Sequence, residues 1–124
     1  MSVAILRQGD VLIASIQSDL SDTEVIELRH ELAVLVGEHR LRGLVIDVGA
    51  LDVIDSFVTR ALRAIVLTVR LRGAETIIVG ISPDVAIAMV QFRLNLEPLR
   101  VALDLDEALA MLDRRSRGDA EDGR

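Results

Sequence analysis

Two apolar runs open the chain, residues 3–6 and 11–16. Arg7-Gln8-Gly9-Asp10 between them is a short Gly-containing connection of the kind that joins hairpin strands. The period then changes. Ser21-Asp22-Thr23-Glu24 has a hydroxyl acceptor followed three residues on by a carboxylate, the pattern of a capping box. Val25, Leu28, Leu32 and Leu35 follow at spacings of three and four. That apolar stripe predicts a helix over 22–37 with Gly37 as its stop.

Gly43-Leu44-Val45-Ile46-Asp47-Val48 is short, aliphatic and β-branched at three positions, as suits a strand covered on both faces. A turn over 49–53 leads to a second helix from about Asp55, with Val58, Leu62, Ile65 and Val69 inward and Gly73 at its end. Arg60, Arg63 and Arg70 fall on a different face. Residues 76–81 repeat the buried-strand pattern. Ser82-Pro83 then opens a third helix, hydroxyl at the N-cap and proline at the first helical position, with Val85, Met89 and Phe92 inward. Pro98 lies in the connection to a short strand at 99–102. A last helix begins at Asp104-Leu105-Asp106-Glu107, and Leu105, Ala108, Leu109 and Leu112 are its inward residues. Nothing after Asp113 is apolar and larger than Ala, so 114–124 is expected to be a flexible polar tail behind a single domain at 1–113. The order ββαβαβαβα predicts an α/β domain with a mixed sheet, parallel after the hairpin and joined by right-handed crossovers.

Composition narrows the chemistry. The 124 residues are 51% hydrophobic with a net charge of −6, which supports one core and argues against disorder. Cys, Trp, Tyr and Lys are absent, and all 14 basic residues are Arg. Those absences exclude thiolate nucleophiles, zinc–thiolate and iron–sulfur sites, Schiff bases and a Walker-type lysine. His30 and His39 are the only imidazoles, at a spacing that fits no metal motif. An acidic balance without an aromatic stacking platform argues against nucleic acid. No apolar run approaches the ~20 residues that span a bilayer, and the opening apolar stretch is too short for a signal peptide. The expectation is a cytoplasmic, soluble, non-catalytic domain with no cofactor, no metal and no nucleic-acid or membrane partner.

In open α/β sheets, sites form where strands end and helices begin. Ser21 and Ser82 at such positions are accounted for as helix caps. Asp55-Ser56-Phe57 differs, because Asp55 alone can cap the helix. Ser56 then takes the first helical position, its hydroxyl near solvent and near the amides that a helix start leaves unbonded.

The run Gly43-Leu44-Val45-Ile46-Asp47-Val48-Gly49-Ala50-Leu51-Asp52-Val53-Ile54-Asp55-Ser56-Phe57 resembles the signature of STAS domains, the anti-sigma-factor-antagonist family. In that family an aliphatic strand ending in Asp leads through a short turn to Asp-Ser at a helix start. Further matching segments are residues 15–22, Gly73-Ala74, residues 80–86 and residues 102–109, so the likeness spans nearly the whole chain. Phe57-Val58 stands where sporulation-type antagonists usually carry a second hydroxyl and a Gly. Asp55-Ser56-Phe57 with Ser15-Ile16-Gln17 is most similar to the small stressosome scaffolds of the RsbS type. The resemblance implies a STAS-like mixed sheet with about four helices and a phospho-switch rather than an enzyme. Ser56 would be phosphorylated by an RsbT-like serine kinase, which the unmodified scaffold holds and the modified one releases to regulate a sigma-factor stress pathway. It also implies homo- or hetero-oligomers with RsbR-like STAS proteins and an RsbX-like phosphatase that resets the serine.

Asp55, Phe57, Thr59 and Arg60 surround Ser56 and are expected on the partner-facing switch surface. Asp55 would cap the helix and orient the hydroxyl; Thr59 is a solvated helical threonine or a second phosphosite. Phe57 serves core or interface packing, and Arg60 a solvated face or an acidic partner. A phosphoryl group adds about −1.5 to −2 charges, which a helix N-terminus favours and Asp55 and Asp52 oppose. The expected outcome is an intact fold with an altered interface. Two other roles stay open: a stand-alone antagonist that binds an anti-sigma kinase directly, and a small-ligand or nucleotide-binding STAS module. The lack of a Gly-rich phosphate loop counts against the second.

Overall fold

The computed structural model describes residues 3–91 and 99–122. In it β1 (Val3–Gln8) pairs with β2 (Val11–Ile16) in an unbroken antiparallel register from Val3↔Ile16 to Gln8↔Val11. β3 (Gly43–Asp47), β4 (Glu75–Val79) and β5 (Arg100–Ala102) add in parallel, giving the sheet order β1-β2-β3-β4-β5. Four helices follow the expected order: α1 (Asp22–His39), α2 (Ser56–Arg70), α3 (Pro83–Gln91) and α4 (Leu105–Asp122). The α/β mixed-sheet expectation therefore holds.

Side-chain alternation along the strands builds two cores. Leu12, Leu44, Ile46 and Ile78 point to one face, where they meet Leu32 and Val36 of α1 and Leu62 and Ile65 of α2. Val11, Val45, Ile77 and Val79 point to the other and pack on Ala108 and Leu112 of α4. Coverage on both faces is why the β3 and β4 sequences are almost continuously aliphatic. The capping box at Ser21 forms in both directions: the Glu24 amide donates to Ser21 Oγ (3.2 Å) and the Ser21 amide to Glu24 Oε1 (3.1 Å).

Two boundaries differ from the sequence expectation. α1 runs through Gly37 and ends at Arg40, which takes a left-handed conformation (φ 51°). The Leu41 amide donates to the Val36 carbonyl (3.1 Å), and both side chains are buried, so the closing hydrophobic contact rather than the nearest glycine sets the end. α4 continues to Asp122, so the segment expected as a flexible tail from 114 is helical as far as that residue. Buried Ala108 and Leu112 anchor the turns before it, and extending an existing helix avoids the cost of nucleation, which offsets the weak propensities of Ser116, Gly118 and Asp119. Asp113, at the expected boundary, is itself tied down by Arg42 Nη2 (2.8 Å), whose Nε also holds Asp10 (2.7 Å). Phe92 and Pro98, expected in the third helix stripe and the following connection, lie outside the described residues.

Candidate functional site

The site begins at the end of β3. Asp47 Oδ1 accepts the Gly49 amide (2.8 Å), and the Val48 amide donates to the Val79 carbonyl (3.0 Å). Gly80, at φ +87°, passes so close that a Cβ there would lie 2.6 Å from Asp47 Oδ1 and 2.7 Å from the Gly49 nitrogen. The ends of the two central strands are thus locked together. From this lock the connection to α2 rises with Leu51 and Ile54 buried as tethers and Asp52 and Val53 exposed at its crest.

The tethered connection delivers Asp55 as the N-cap of α2, in an extended conformation. Its Oδ1 accepts the Val58 amide (2.9 Å), and its carbonyl accepts both the Thr59 amide (3.0 Å) and the Thr59 hydroxyl (2.9 Å). Ser56 is therefore the first residue of the helix and is exposed, as the sequence pattern predicts. Asp55 and Arg60 are exposed beside it.

One neighbour is placed differently. Thr59 is only 2% exposed and donates its hydroxyl inward to Asp55, so it belongs neither to the switch surface nor to the accessible hydroxyls. Its position explains this: it lies three residues before Leu62 and seven before Val66, on the buried stripe of α2. Phe57 is half-buried and lines a small cleft between α1 and α2 with Leu20, Val25 and Ala61.

Between the first turn of α2 and α3 lies an open groove of about 490 Å³. Ser56 is on its wall, with Asp52, Asp55 and Asp84 around an apolar bed that includes Val85 and Ala88. Among the described lining residues there are three carboxylates and no cation. Local sequence pattern alone does not place α3 at the site. The signal for it was topological: β3 and β4 are adjacent and parallel, so the helices that follow them start side by side, one capped by Asp55 and the other by Ser82 (Oγ to the Val85 amide, 3.2 Å). Among the described residues no helix is long and apolar enough to cross a membrane.

A family model described as the STAS domain matches residues 2–108. A search among curated proteins gives no match. Among solved structures, a variant of RsbS from Moorella thermoacetica is 36% identical, covers 94% of this chain and 99% of its own, and superposes with a TM-score of 0.77. A chain from the stressosome, described as a signal integration and transduction hub, is 37% identical over 92% of this chain and 99% of its own, also at a TM-score of 0.77. An anti-sigma-factor antagonist (STAS) domain protein from Planctomyces limnophilus, 15% identical with a TM-score of 0.67 over 90% of this chain and 97% of its own, shares the fold.

Proposed function

Because the chain belongs to the STAS-domain family, we propose that it is a non-catalytic scaffold of the stressosome type whose docking surface is switched by phosphorylation of Ser56. The carrying observation is the exposed hydroxyl of Ser56 at the first position of α2, held there because Asp55 takes the capping role. Identity above one-third over nearly the full length of RsbS and stressosome chains supports the same reading. In it, the unmodified protein holds an RsbT-like serine kinase in the cytoplasm and assembles with RsbR-like STAS proteins. Phosphorylation of Ser56 releases the kinase, and an RsbX-like phosphatase restores the starting state.

The geometry supports switching at the surface. The capping bond from Asp55 to the Val58 amide is complete before any modification, so a phosphoryl group does not have to displace it. The helix start favours an added anion by about 0.3–1 kcal/mol, while Asp52, Asp55 and Asp84 oppose it. These effects nearly cancel for the fold. For a docked partner they do not, because an unmatched charge desolvated at an interface costs several kcal/mol.

The test is incubation of the full chain with ATP and the RsbT-like kinase, followed by intact-mass measurement and site mapping. The expected result is one phosphoryl group on Ser56 in the wild type and none in Ser56→Ala. By calorimetry Ser56→Ala binds the kinase as tightly as unmodified protein, and the phosphorylated form about tenfold or more weakly. Equal affinity of all three forms overturns the reading. A second reading has one observation in its favour: the groove volume lies in the range of small-molecule sites, about 300–1,000 Å³. Its three carboxylates restrict such a ligand to a neutral or cationic one.

A further inference from the structure

Ser56 and Arg60 stand one turn apart on α2, and both are exposed. Residues four apart on a helix lie on one face with Cβ atoms about 5–6 Å apart, and an anion placed N-terminal to the cation is the favoured order. A phosphoserine at position 56 meets both conditions. Guanidinium presents a planar fork of donors that matches phosphate oxygens two at a time. The carboxylate of the preceding residue, Asp55, already accepts the Val58 amide. On the groove side, Asp52, Asp55 and Asp84 supply three negative charges, which a phosphoryl group would raise to the equivalent of about five. Such a charge favours a compensating cation, and among the described residues Arg60 is an exposed one on the same helix face.

We infer that, once Ser56 carries a phosphoryl group, Arg60 folds back onto it as an in-chain counter-ion, so that modification withdraws an exposed cation from the docking face while adding an anion to it. The inference rests on Ser56 being the phosphorylated residue, and it names what the partner loses: a guanidinium available to an acidic group of its own. Release then comes from two changes acting in one direction. Arg60 is a positioning residue for the phosphate and takes no part in its transfer.

The experiment installs phosphoserine at position 56 of the full chain during translation, so no kinase is needed, and follows its second ionisation by phosphorus NMR titration. A nearby cation favours the dianion and lowers the midpoint. Asp52, Asp55 and Asp84 are unchanged in every variant and raise it equally in each. Arg60→Gln is expected to shift the midpoint up by about 0.3–0.7 pH unit, the size of an exposed ion pair. Arg60→Lys recovers part of the shift, and Arg70→Gln, at the far end of α2, leaves the midpoint in place. A midpoint in Arg60→Gln equal to that of wild type and Arg70→Gln overturns the clamp. Failure of a kinase to modify Ser56 would remove the functional reading while this titration still reports, so the two fail separately.

Discussion

Gly80→Ala tests the lock beneath the site more directly than any change at the site itself. Two terms oppose the new methyl group. The residue sits at φ +87°, where an L side chain costs about 1–2 kcal/mol. In addition, the Cβ would stand 2.6 Å from Asp47 Oδ1, 2.7 Å from the Gly49 nitrogen and 2.9 Å from the Gly49 Cα. Two of those atoms are backbone and cannot swing aside, so relief requires the β3–α2 connection to move, at an overpacking cost of about 1–3 kcal/mol. Together the loss is about 2–5 kcal/mol, and at a few degrees per kcal/mol for a domain of this size the melting temperature falls by roughly 10 °C or more. Gly73→Ala is the matched control. Its φ of +92° is nearly the same, yet a Cβ there meets nothing within 4 Å. Urea unfolding of both variants separates strain from collision. Gly80→Ala should be less stable than Gly73→Ala by about 1–3 kcal/mol, and equal destabilisation would refute the lock.

Two further outcomes follow from the first turn of α2. Asp55→Ala removes the acceptor for the Val58 amide and should cost about 1 kcal/mol in urea unfolding, whereas Asp55→Asn, which keeps an acceptor oxygen, should cost far less. Thr59→Val should lose about 1 kcal/mol with its buried hydroxyl bond. Wild-type protein treated with kinase while folded should carry no phosphate at Thr59, and a mapped phosphothreonine there would contradict its burial.

The parts legible in the sequence were those where local pattern and tertiary packing agree. Leu62, Ile65 and Val69 keep helical spacing because one face of α2 meets the sheet, and all three are buried. Ser21 and Glu24 specify a helix start that is complete within four residues, so no distant contact can contradict it. Where distant contacts decide, the pattern misleads. Gly37 has the residue type of a helix stop, but burial of Val36 and Leu41 carries the helix on to a strained Arg40. The polar stretch after Asp113 has nothing to bury and reads locally as a tail, yet it inherits helix from the anchored turns before it. For Thr59 residue type and spacing disagree: its spacing to Leu62 and Val66 is that of the core stripe, and this outweighs the polarity of a hydroxyl that can bond to its own helix backbone. Asp84 could not be assigned to the groove from local pattern, because only strand order brings α3 beside α2.

The magnitudes also determine where a signal from Ser56 can be read. α2 is held by Leu62, Ile65, Val66 and Val69, each at most 2% exposed, and burial of side chains of this size contributes about 1.5–3 kcal/mol apiece. The helix start favours a charge added at Ser56 by about 0.3–1 kcal/mol, and Asp52, Asp55 and Asp84 offset that, so the net effect on the fold is no larger. Those four residues together exceed the perturbation severalfold, so phosphorylation has little leverage to unfold or undock the helix. In the proposed switch, the covalent change is therefore sensed by a partner that touches the groove and the outer face of the first turn. There the same charge is not diluted by solvent once a partner covers it, and the cost rises from tenths of a kcal/mol to several. A position on a well-anchored helix, outside the core and on the proposed docking face, gives a large ratio of binding change to folding change.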